Sequence, residues 1–390
     1  MQLASKPIGL WPIVMMTLLS VGLVNHVIVV PLLLAEAKRD AWLSIPVALI
    51  IALPLAAFPL QRVMFKMDGV RFDDWLRQRT PAFMAWLILA IINIGLLFVA
   101  FGSLVDVVAW TSNTYLPLTP QFVVLLIFCF ICMFAAMNGL RTIAYVSCIL
   151  LPIVVVLGDF VMSANMPVKD YRYLLPMLET GLYPVIKGAV YSLSAFMELT
   201  FLLLIQHEMK KSFKKWHLLL LTLMLMILTL GPTVGAITLF GPEEASIMRY
   251  PAYSQWRLVK IGKYFEHVDF FAVFQWLSGA LIRISLPLYL IQIYGPFRKI
   301  KRKWLSMLIT ALILAVASFI VLMHMKWYMI LMKAYFEVAW ILFGAILLFL
   351  WVLSFRKTTK PKRPETQGGY RNESSSGRIA SQTGLPRSDL

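Results

Sequence analysis

The sequence predicts an all-α integral membrane protein with ten transmembrane helices in a five-plus-five inverted repeat, whose first and sixth helices are discontinuous. Of its 390 residues, 60% are hydrophobic and 14% are charged, whereas soluble domains are about 45–50% apolar and about 25% charged. Several apolar runs exceed about 18 residues, the length that identifies a candidate transmembrane helix. The basic residues cluster in short loops and in the C-terminal tail. The net charge of +17 therefore indicates the positive-inside pattern and no nucleic-acid partner.

Ten apolar segments, numbered as spans one to ten, follow one another along the chain. Loops on the N-terminal side hold more Lys and Arg than the opposite loops, most strongly at 210–215 and 298–303, so we expect both termini to be cytoplasmic. The ten-span membrane domain is predicted over 1–355. Residues 356–390 are basic and rich in Ser, Gly and Pro, and predict a disordered cytoplasmic tail. The spans are predicted at 9–34, 41–60, 82–109, 119–137, 142–162, 184–206, 217–240, 268–294, 304–323 and 334–354.

The two halves of the membrane domain, about 9–162 and 184–354, have the same layout. Each contains five spans, and in each a long polar segment follows the second span, at 61–80 and at 241–266. Because five is odd, the second half is inverted relative to the first. Inverted repeats of this kind place the substrate near the bilayer midplane, between discontinuous helices.

The first span carries a helix-weakening glycine and three polar side chains at its centre: Ser20, Gly22, Asn25 and His26. Polar groups at bilayer depth are costly unless they face protein or a water-filled cavity. This pattern predicts a broken helix that lines a ligand site, and the alternative is a kinked, packed helix without a ligand. For His26 we favour a hydrogen-bonded packing residue over a proton relay.

The sixth span is the mirror partner of the first, and small residues and hydroxyls cluster at its centre. Tyr191, Ser194 and Glu198 fall on one face of a helix, and Ser192 lies beside them. If both spans break, a half-helix N-terminus can hold a carboxylate and freed carbonyls can hold an ammonium group, as in a zwitterionic amino acid. The alternative for the two serines is hydroxyls bonded back to the i−4 carbonyls.

The third span carries Gly95, Val99, Gly102 and Asp106 on one stripe. Small residues at this spacing allow a neighbouring helix to approach closely. We therefore predict tight packing along the stripe, with Val99 as a candidate lining residue of the ligand site.

The eighth span repeats that spacing and places Ser285 and Tyr289 one turn apart. Their hydroxyls can face a ligand or form interhelical hydrogen bonds. Arg283 lies on another face, deep in the span, and an arginine there should be paired. We expect a structural ion pair, with a proton-coupling carboxylate as the alternative. Three carboxylates are candidate partners for this arginine: Asp106, Asp159 and Glu337.

The polar segment before the eighth span is amphipathic, and we predict that it forms an external lid over the site. Four apolar residues of this segment are placed to cover the mouth of the site: Val259, Tyr264, Phe265 and Val268.

The same segment resembles the B subunit of endospore germinant receptors, a branch of the amino acid–polyamine–organocation permease superfamily. The resemblance covers about residues 8–355. In the external segment and eighth span it rests on Tyr250-Pro251, Arg257, Ile261-Gly262, Asp269 and Trp276. In the first span and its exit it rests on Gly22, Pro31, Glu36 and Arg39-Asp40-Ala41-Trp42.

The resemblance implies a permease fold that acts in germination. A B subunit binds a small germinant, often an amino acid, and signals with an A-type membrane subunit and a C-type lipoprotein in the spore inner membrane. By this likeness the ligand lies near Gly22 and near the Ser285–Tyr289 pair, with Val99 and Met197 as apolar lining. Two features depart from the family pattern. The Asn25-His26 pair is unusually polar, and the tail is unusually long.

Receptor subunit is therefore the leading hypothesis, and a proton-coupled amino acid permease is the alternative. Five His and three Cys show no metal-ligand cluster and no nucleophile–base arrangement, so we expect no enzyme, no cofactor and no metal site. The candidate ligand-binding residues are Ser20, Gly22, Asn25, Val99, Ser192, Ser194, Met197, Ser285 and Tyr289.

Overall fold

A computed structural model describes residues 7–260 and 268–356. Within these residues the secondary structure is helical, and the β-pairing is limited to one isolated bridge between Ile8 and Met209. The α-helices are α1 (Leu10–Val24), α2 (Val30–Ala37), α3 (Ala41–Leu55), α4 (Gln61–Met67), α5 (Phe72–Arg77), α6 (Ala82–Thr114), α7 (Gln121–Met137), α8 (Leu140–Ala164), α9 (Leu182–Met197), α10 (Leu202–Ile205), α11 (Lys215–Phe240), α12 (Pro242–Ile247), α13 (Pro251–Arg257), α14 (Phe271–Tyr294), α15 (Lys303–Leu322) and α16 (Met325–Leu353).

Eight helical stretches of the described chain are long and apolar enough to cross a membrane, which confirms the predicted all-α membrane class. The first of them is 58 residues long, and α7 is apolar but shorter than the other stretches. The eight stretches are Leu10–Met67, Ala82–Thr114, Leu140–Val168, Leu182–Glu208, Lys215–Phe240, Phe271–Tyr294, Lys303–Leu322 and Met325–Leu353.

The first span changes helix type at its centre, three residues after the predicted break at Gly22. Gly22 itself lies inside α1, and a π-helix at Asn25–Val29 joins α1 to α2. The cause is visible in the sequence, because Pro31 has no N–H to donate to the carbonyl of Val27. A π-helical turn of this kind widens the helix locally and is frequent at functional sites.

The sixth span changes helix type later than predicted. Ser192 and Ser194 lie in the uninterrupted helix α9, so the predicted unwinding at these serines is wrong. The α-helical pattern ends at Met197, and a 3₁₀-helix follows at Glu198–Phe201. Glu198 opens this 3₁₀-helix, and its side chain contacts a different neighbour from that of Ser194, as described below.

Helix α14 is packed in the interior of the bundle, against α1, α6, α7 and α8. Helix α9 packs against α2, α3 and α16. The small-residue stripe of α6 meets α16, as its spacing predicts. A Cβ atom on Gly95 would overlap Phe343, one on Gly102 would overlap Met332, and Tyr328 donates to the Gly102 carbonyl at 3.1 Å.

The two polar segments after the second span of each half carry short helices. Helix α4 extends the second span to Met67, and α5 buries its apolar face within the protein. The segment 241–266 forms α12 and α13 and is described to Lys260. Of the predicted lid residues, Val259 and Val268 are buried, while Tyr264 and Phe265 lie outside the described residues. The predicted tail also lies outside them, from Lys357 onward.

Close packing at Gly188 gives a test of the bundle. A Cβ atom on Gly188 would overlap Ser44 of the second span and lie 3.3 Å from Leu33. We predict that Gly188→Ala lowers stability by about 1–3 kcal/mol through overpacking, and that adding Ser44→Gly restores it. Thermal unfolding of detergent-solubilised protein, followed by reaction of the buried Cys132 thiol with a dye, measures the effect.

The control is Gly344→Ala, where an added Cβ atom meets nothing within 4 Å. This variant should unfold at the wild-type temperature or above, because alanine favours helix more than glycine does. Equal destabilisation at both positions would contradict the packing described at Gly188.

Candidate functional site

A buried ion pair lies where the first, sixth and eighth spans meet. Arg283 of α14 donates from Nη1 and Nη2 to the two carboxylate oxygens of Glu198, at 2.6 Å and 2.7 Å. The same Nη1 donates to the Ser20 carbonyl of α1 at 3.1 Å. Both charged side chains are only 2% exposed. Paired hydrogen bonds of this kind are strong and directional, so they fix the three spans relative to one another.

The partner of Arg283 differs from all three carboxylates proposed for it. Asp106 instead pairs with Arg249 of the segment between α12 and α13. Glu337 accepts a hydrogen bond from Tyr191 at 3.2 Å. Asp159 lines a separate cavity. The missed residue, Glu198, carried a usable signal, since it is an acidic residue within the apolar sixth span. Glu198 is the first residue of the 3₁₀-helix that follows α9.

Helix α16 encloses the ion pair from a further side. Tyr335 is near both charges, and its ring stacks on Phe98 of α6 with centroids 5.4 Å apart and planes 5° from parallel. Its hydroxyl has no hydrogen-bond partner in the described part of the chain. Val99 follows Phe98 and is buried. The third span therefore supplies an aromatic neighbour of Tyr335 through Phe98, and the lining role of Val99 stays a prediction.

The two serines of the sixth span differ in their contacts. Ser194 donates to the Phe336 carbonyl and accepts from the Trp340 amide at 3.2 Å, so it ties α9 to α16. The bond to Phe336 is not back-bonding to the i−4 carbonyl, and a ligand-binding role for Ser194 stays a prediction. Ser192 is fully buried, and its hydroxyl lacks a partner within residues 7–260 and 268–356. Met197 is also buried, beside the ion pair in sequence.

The widened turn of the first span contacts α11. Asn25 donates from Nδ2 to the Leu225 carbonyl at 3.4 Å, while its Oδ1 is buried without a partner in the described chain. His26 Nδ1 lies 3.3 Å from the Leu228 carbonyl. This contact agrees with the interpretation of His26 as a hydrogen-bonded packing residue. Asn25 thus retains an unused acceptor next to the π-helical turn.

A cavity of about 220 Å³ opens beside this turn, between α1, α8, α11, α13 and α14. Gly22 and His26 line it from the first span, and an added Cβ atom on Gly22 would lie 3.0 Å from Leu228. Most of the wall is apolar. The polar side chains on the wall are His26, Asp159, Tyr253, Gln255 and Gln275.

The predicted hydroxyl pair of the eighth span is divided between two environments. Ser285 is fully buried against Cys132 of α7. The Tyr289 hydroxyl donates to the Glu208 carboxylate at the end of the sixth span. Neither residue lines the cavity beside Gly22.

The end of the bundle where the chain begins is closed by backbone pairing. Ile8 donates its N–H to the Glu208 carbonyl, and the Lys210 N–H donates to the Ile8 carbonyl, both at 2.8 Å. The Tyr289–Glu208 bond adds a contact from α14. The first, sixth and eighth spans therefore meet again at this end.

The segment between α11 and α14, described to Lys260, contacts the opposite end of the bundle. Besides the Arg249–Asp106 pair, Gln255 donates to the Pro232 carbonyl at 3.1 Å. Tyr253 donates to the Asp269 carboxylate at 2.9 Å. Burial raises the pKa of the Tyr253 phenol, so it stays protonated and keeps this donor at neutral pH. The role of this segment as a lid over the site stays a prediction.

Among residues 7–260 and 268–356, no group of three or more His, Cys, Asp or Glu side chains is arranged to hold a metal ion. The cysteines Cys129, Cys132 and Cys148 are free thiols.

The chain resembles known proteins in sequence and in fold. It matches the family described as "Spore germination protein" over residues 9–324. It is 36% identical to spore germination protein XB of Bacillus anthracis over 345 residues, which is 87% of this chain and 96% of that protein. A solved transporter of the nucleobase-cation-symport-1 family, Mhp1, has been determined closed with bromovinylhydantoin bound. It superposes with a TM-score of 0.61 at 11% identity, covering 89% of this chain and 78% of that one, and this likeness shows the fold alone.

The ion pair predicts a strong asymmetry between single and double substitution. Removing Glu198 with Glu198→Gln leaves a buried arginine without a counter-charge, and we expect a loss of about 3–5 kcal/mol in stability. The double variant Glu198→Leu with Arg283→Met removes both charges and should lose markedly less than the single variant. Thermal unfolding of the detergent-solubilised variants, followed by reaction of the Cys132 thiol with a dye, measures the stability of the single and the double variant.

The control for this cycle is Arg172→Gln. Arg172 forms a bonded pair with Asp170 on the protein surface, where ion pairs contribute little. The Arg172→Gln variant should therefore unfold at the wild-type temperature. If the double variant were as unstable as Glu198→Gln, the Arg283 and Glu198 charges would not be energetically coupled, which would contradict the ion pair.

Proposed function

This chain belongs to the spore germination protein family, and on that basis we propose that it is a germinant receptor B subunit. It binds a small nutrient germinant, an amino acid, near the bilayer midplane and signals germination with an A-type membrane subunit and a C-type lipoprotein. The observation that carries this proposal is the cavity beside Gly22 at the widened turn of the first span.

The proposed topology has ten crossings in a five-plus-five inverted repeat, with both termini cytoplasmic and the spore inner membrane as location. The stretch Leu10–Met67 contains 58 residues, and a single crossing needs about 20, so it supplies two crossings. The apolar helix α7 adds the tenth crossing. The fold likeness to Mhp1 over 89% of this chain supports a transporter-type arrangement.

The germinant is proposed to bind at the first span, between Gly22 and Asn25. The cavity volume of about 220 Å³ is below the about 300 Å³ at which drug-sized pockets begin, which favours a small metabolite. Seven further residues are proposed for the germinant site from the sequence and the family resemblance, and none of them lines this cavity: Ser20, Val99, Ser192, Ser194, Met197, Ser285 and Tyr289.

The local chemistry favours a zwitterion. A π-helical turn leaves carbonyl groups out of the regular ladder, and these can accept hydrogen bonds from an ammonium group. Asn25 Oδ1 is an additional acceptor without a partner in the described chain. Apolar walls on α8 and α11 suit an aliphatic side chain. Arg283 is already neutralised by Glu198, so the ligand carboxylate is proposed to bind backbone N–H groups and hydroxyls.

Signalling is proposed to begin at the first span. Gly22 is two residues from Ser20, whose carbonyl is bonded to Arg283. A germinant that displaces this part of α1 therefore changes a contact shared with the sixth and eighth spans. Both of those spans reach the end of the bundle at Glu208 and Tyr289, where a partner subunit can detect the change.

The competing function is a proton-coupled amino acid permease, which the likeness in fold to a transporter alone favours. Uptake of radiolabelled amino acids into proteoliposomes containing this chain separates the two functions. We predict binding without concentrative uptake, with and without a proton gradient. Accumulation that depends on the gradient would overturn the receptor assignment in favour of the permease.

Gly22→Leu is predicted to abolish the germinant response without loss of protein. The leucine side chain would enter the cavity and meet Leu228, which lies 3.0 Å from the Cβ position. Germination of spores that carry the variant is measured by loss of optical density, and immunoblotting measures the protein.

The matched control is Gly344→Leu, which adds the same side chain to α16 at a position with nothing within 4 Å. It should respond to germinant as the wild type does. A normal dose–response curve for Gly22→Leu would remove the proposed site from the first span.

A further inference from the structure

We propose that a basic cavity at the end of the bundle where the chain begins binds a phosphate-bearing anion. The cavity has a volume of about 860 Å³ and is separate from the cavity beside Gly22. Its wall combines α5, the end of α7, the end of α14 and the loop that leads into α15. His207 of the sixth span also lines it, next to the Glu208 that pairs with Ile8.

The charge of this cavity is strongly positive. Two arginines and three lysines line it against a single aspartate. Asp73 is already shared, since it lies 3.3 Å from Arg71 and 3.0 Å from Arg298. The cationic residues are Arg71, Arg298, Lys299, Lys301 and Lys303.

The three lysines have no counter-charge of their own. None of them forms an ion pair with a residue that the structure describes. Like charges held around one concave space repel each other, and a bound anion relieves that repulsion. Lysine and arginine side chains both recognise phosphate. The lysine ammonium acts as a point charge, and the planar arginine guanidinium donates two parallel hydrogen bonds.

The inner wall adds uncharged polar groups. Gln292 Oε1 and His207 Nδ1 are buried without hydrogen-bond partners among the described residues. Gln292 Oε1 cannot donate to a phosphate oxygen, but it can accept a hydrogen bond from a hydroxyl group of the ligand. The combination of cations with a free acceptor therefore fits a phosphate ester that also carries hydroxyls.

The rim of the cavity is apolar and exposed. Trp304 at the start of α15 is 51% exposed, and Met137 at the end of α7 is 48% exposed. Basic pockets between transmembrane helices on the cytoplasmic side of proteins bind anionic lipid head groups, and tryptophan is enriched at that depth. The ligand source is thus either a phospholipid head group or a soluble phosphate ester, which share the same recognition chemistry.

The test measures the unfolding temperature of the full-length protein in detergent during titration with phosphatidylglycerol or with glycerol 3-phosphate. Lys299→Gln with Lys301→Gln removes two cavity lysines. Lys210→Gln with Lys211→Gln removes two exposed lysines from the loop before α11, outside the cavity. Phosphatidylcholine serves as the neutral lipid.

We expect phosphatidylglycerol to stabilise the wild type and the loop variant at the same concentration. The cavity variant should require about 30-fold more, because each lysine contributes to anion affinity. Stabilisation by glycerol 3-phosphate with the same loss in the cavity variant would assign a soluble ester, and stabilisation by the lipid alone would assign a head group. The proposal would be overturned if the cavity variant and the loop variant lost the same amount of anion-induced stabilisation, or if neither anion stabilised the wild type. No germinant is needed, so failure of the germinant proposal does not affect the outcome.

Discussion

The bidentate ion pair between Arg283 and Glu198 is the interaction on which the arrangement of the spans depends. Taking two charges out of water costs several kcal/mol per ion, so such a pair persists only with excellent geometry and additional hydrogen bonds. Both conditions are met, because the two N–H···O bonds are short and the Ser20 carbonyl accepts a third. A change in any one of the three spans therefore alters the contacts of the other two.

The membrane class was predictable because the bilayer imposes a simple rule on composition and segment length. The positions at which the helices change type were harder to predict from the sequence. In the first span the break was predicted at Gly22. The structure instead has a π-helical turn at Asn25–Val29, next to Pro31, which lacks an N–H to donate. In the sixth span the hydroxyl cluster of Ser192 and Ser194 predicted unwinding, but both serines lie in regular α-helix.

Pairing across the bundle was the least predictable part, since sequence spacing does not specify which distant side chains meet. Arg283 was correctly expected to be paired, yet its partner lies 85 positions away, at the start of a 3₁₀-helix. Asp106 similarly meets Arg249, which belongs to a segment 143 positions away. The candidate ligand residues are thus divided among the ion pair, the α9–α16 contact and the cavity beside Gly22.

The central claim is that this chain senses an amino acid. Its most direct test is germination of spores that lack the chain against a panel of amino acids, sugars and nucleosides, with and without restoration of the wild-type sequence. We predict that the response to one or a few amino acids is lost and then restored, while responses to sugars and nucleosides are unchanged. An unaltered response to every amino acid, or a loss confined to nucleosides or sugars, would contradict it.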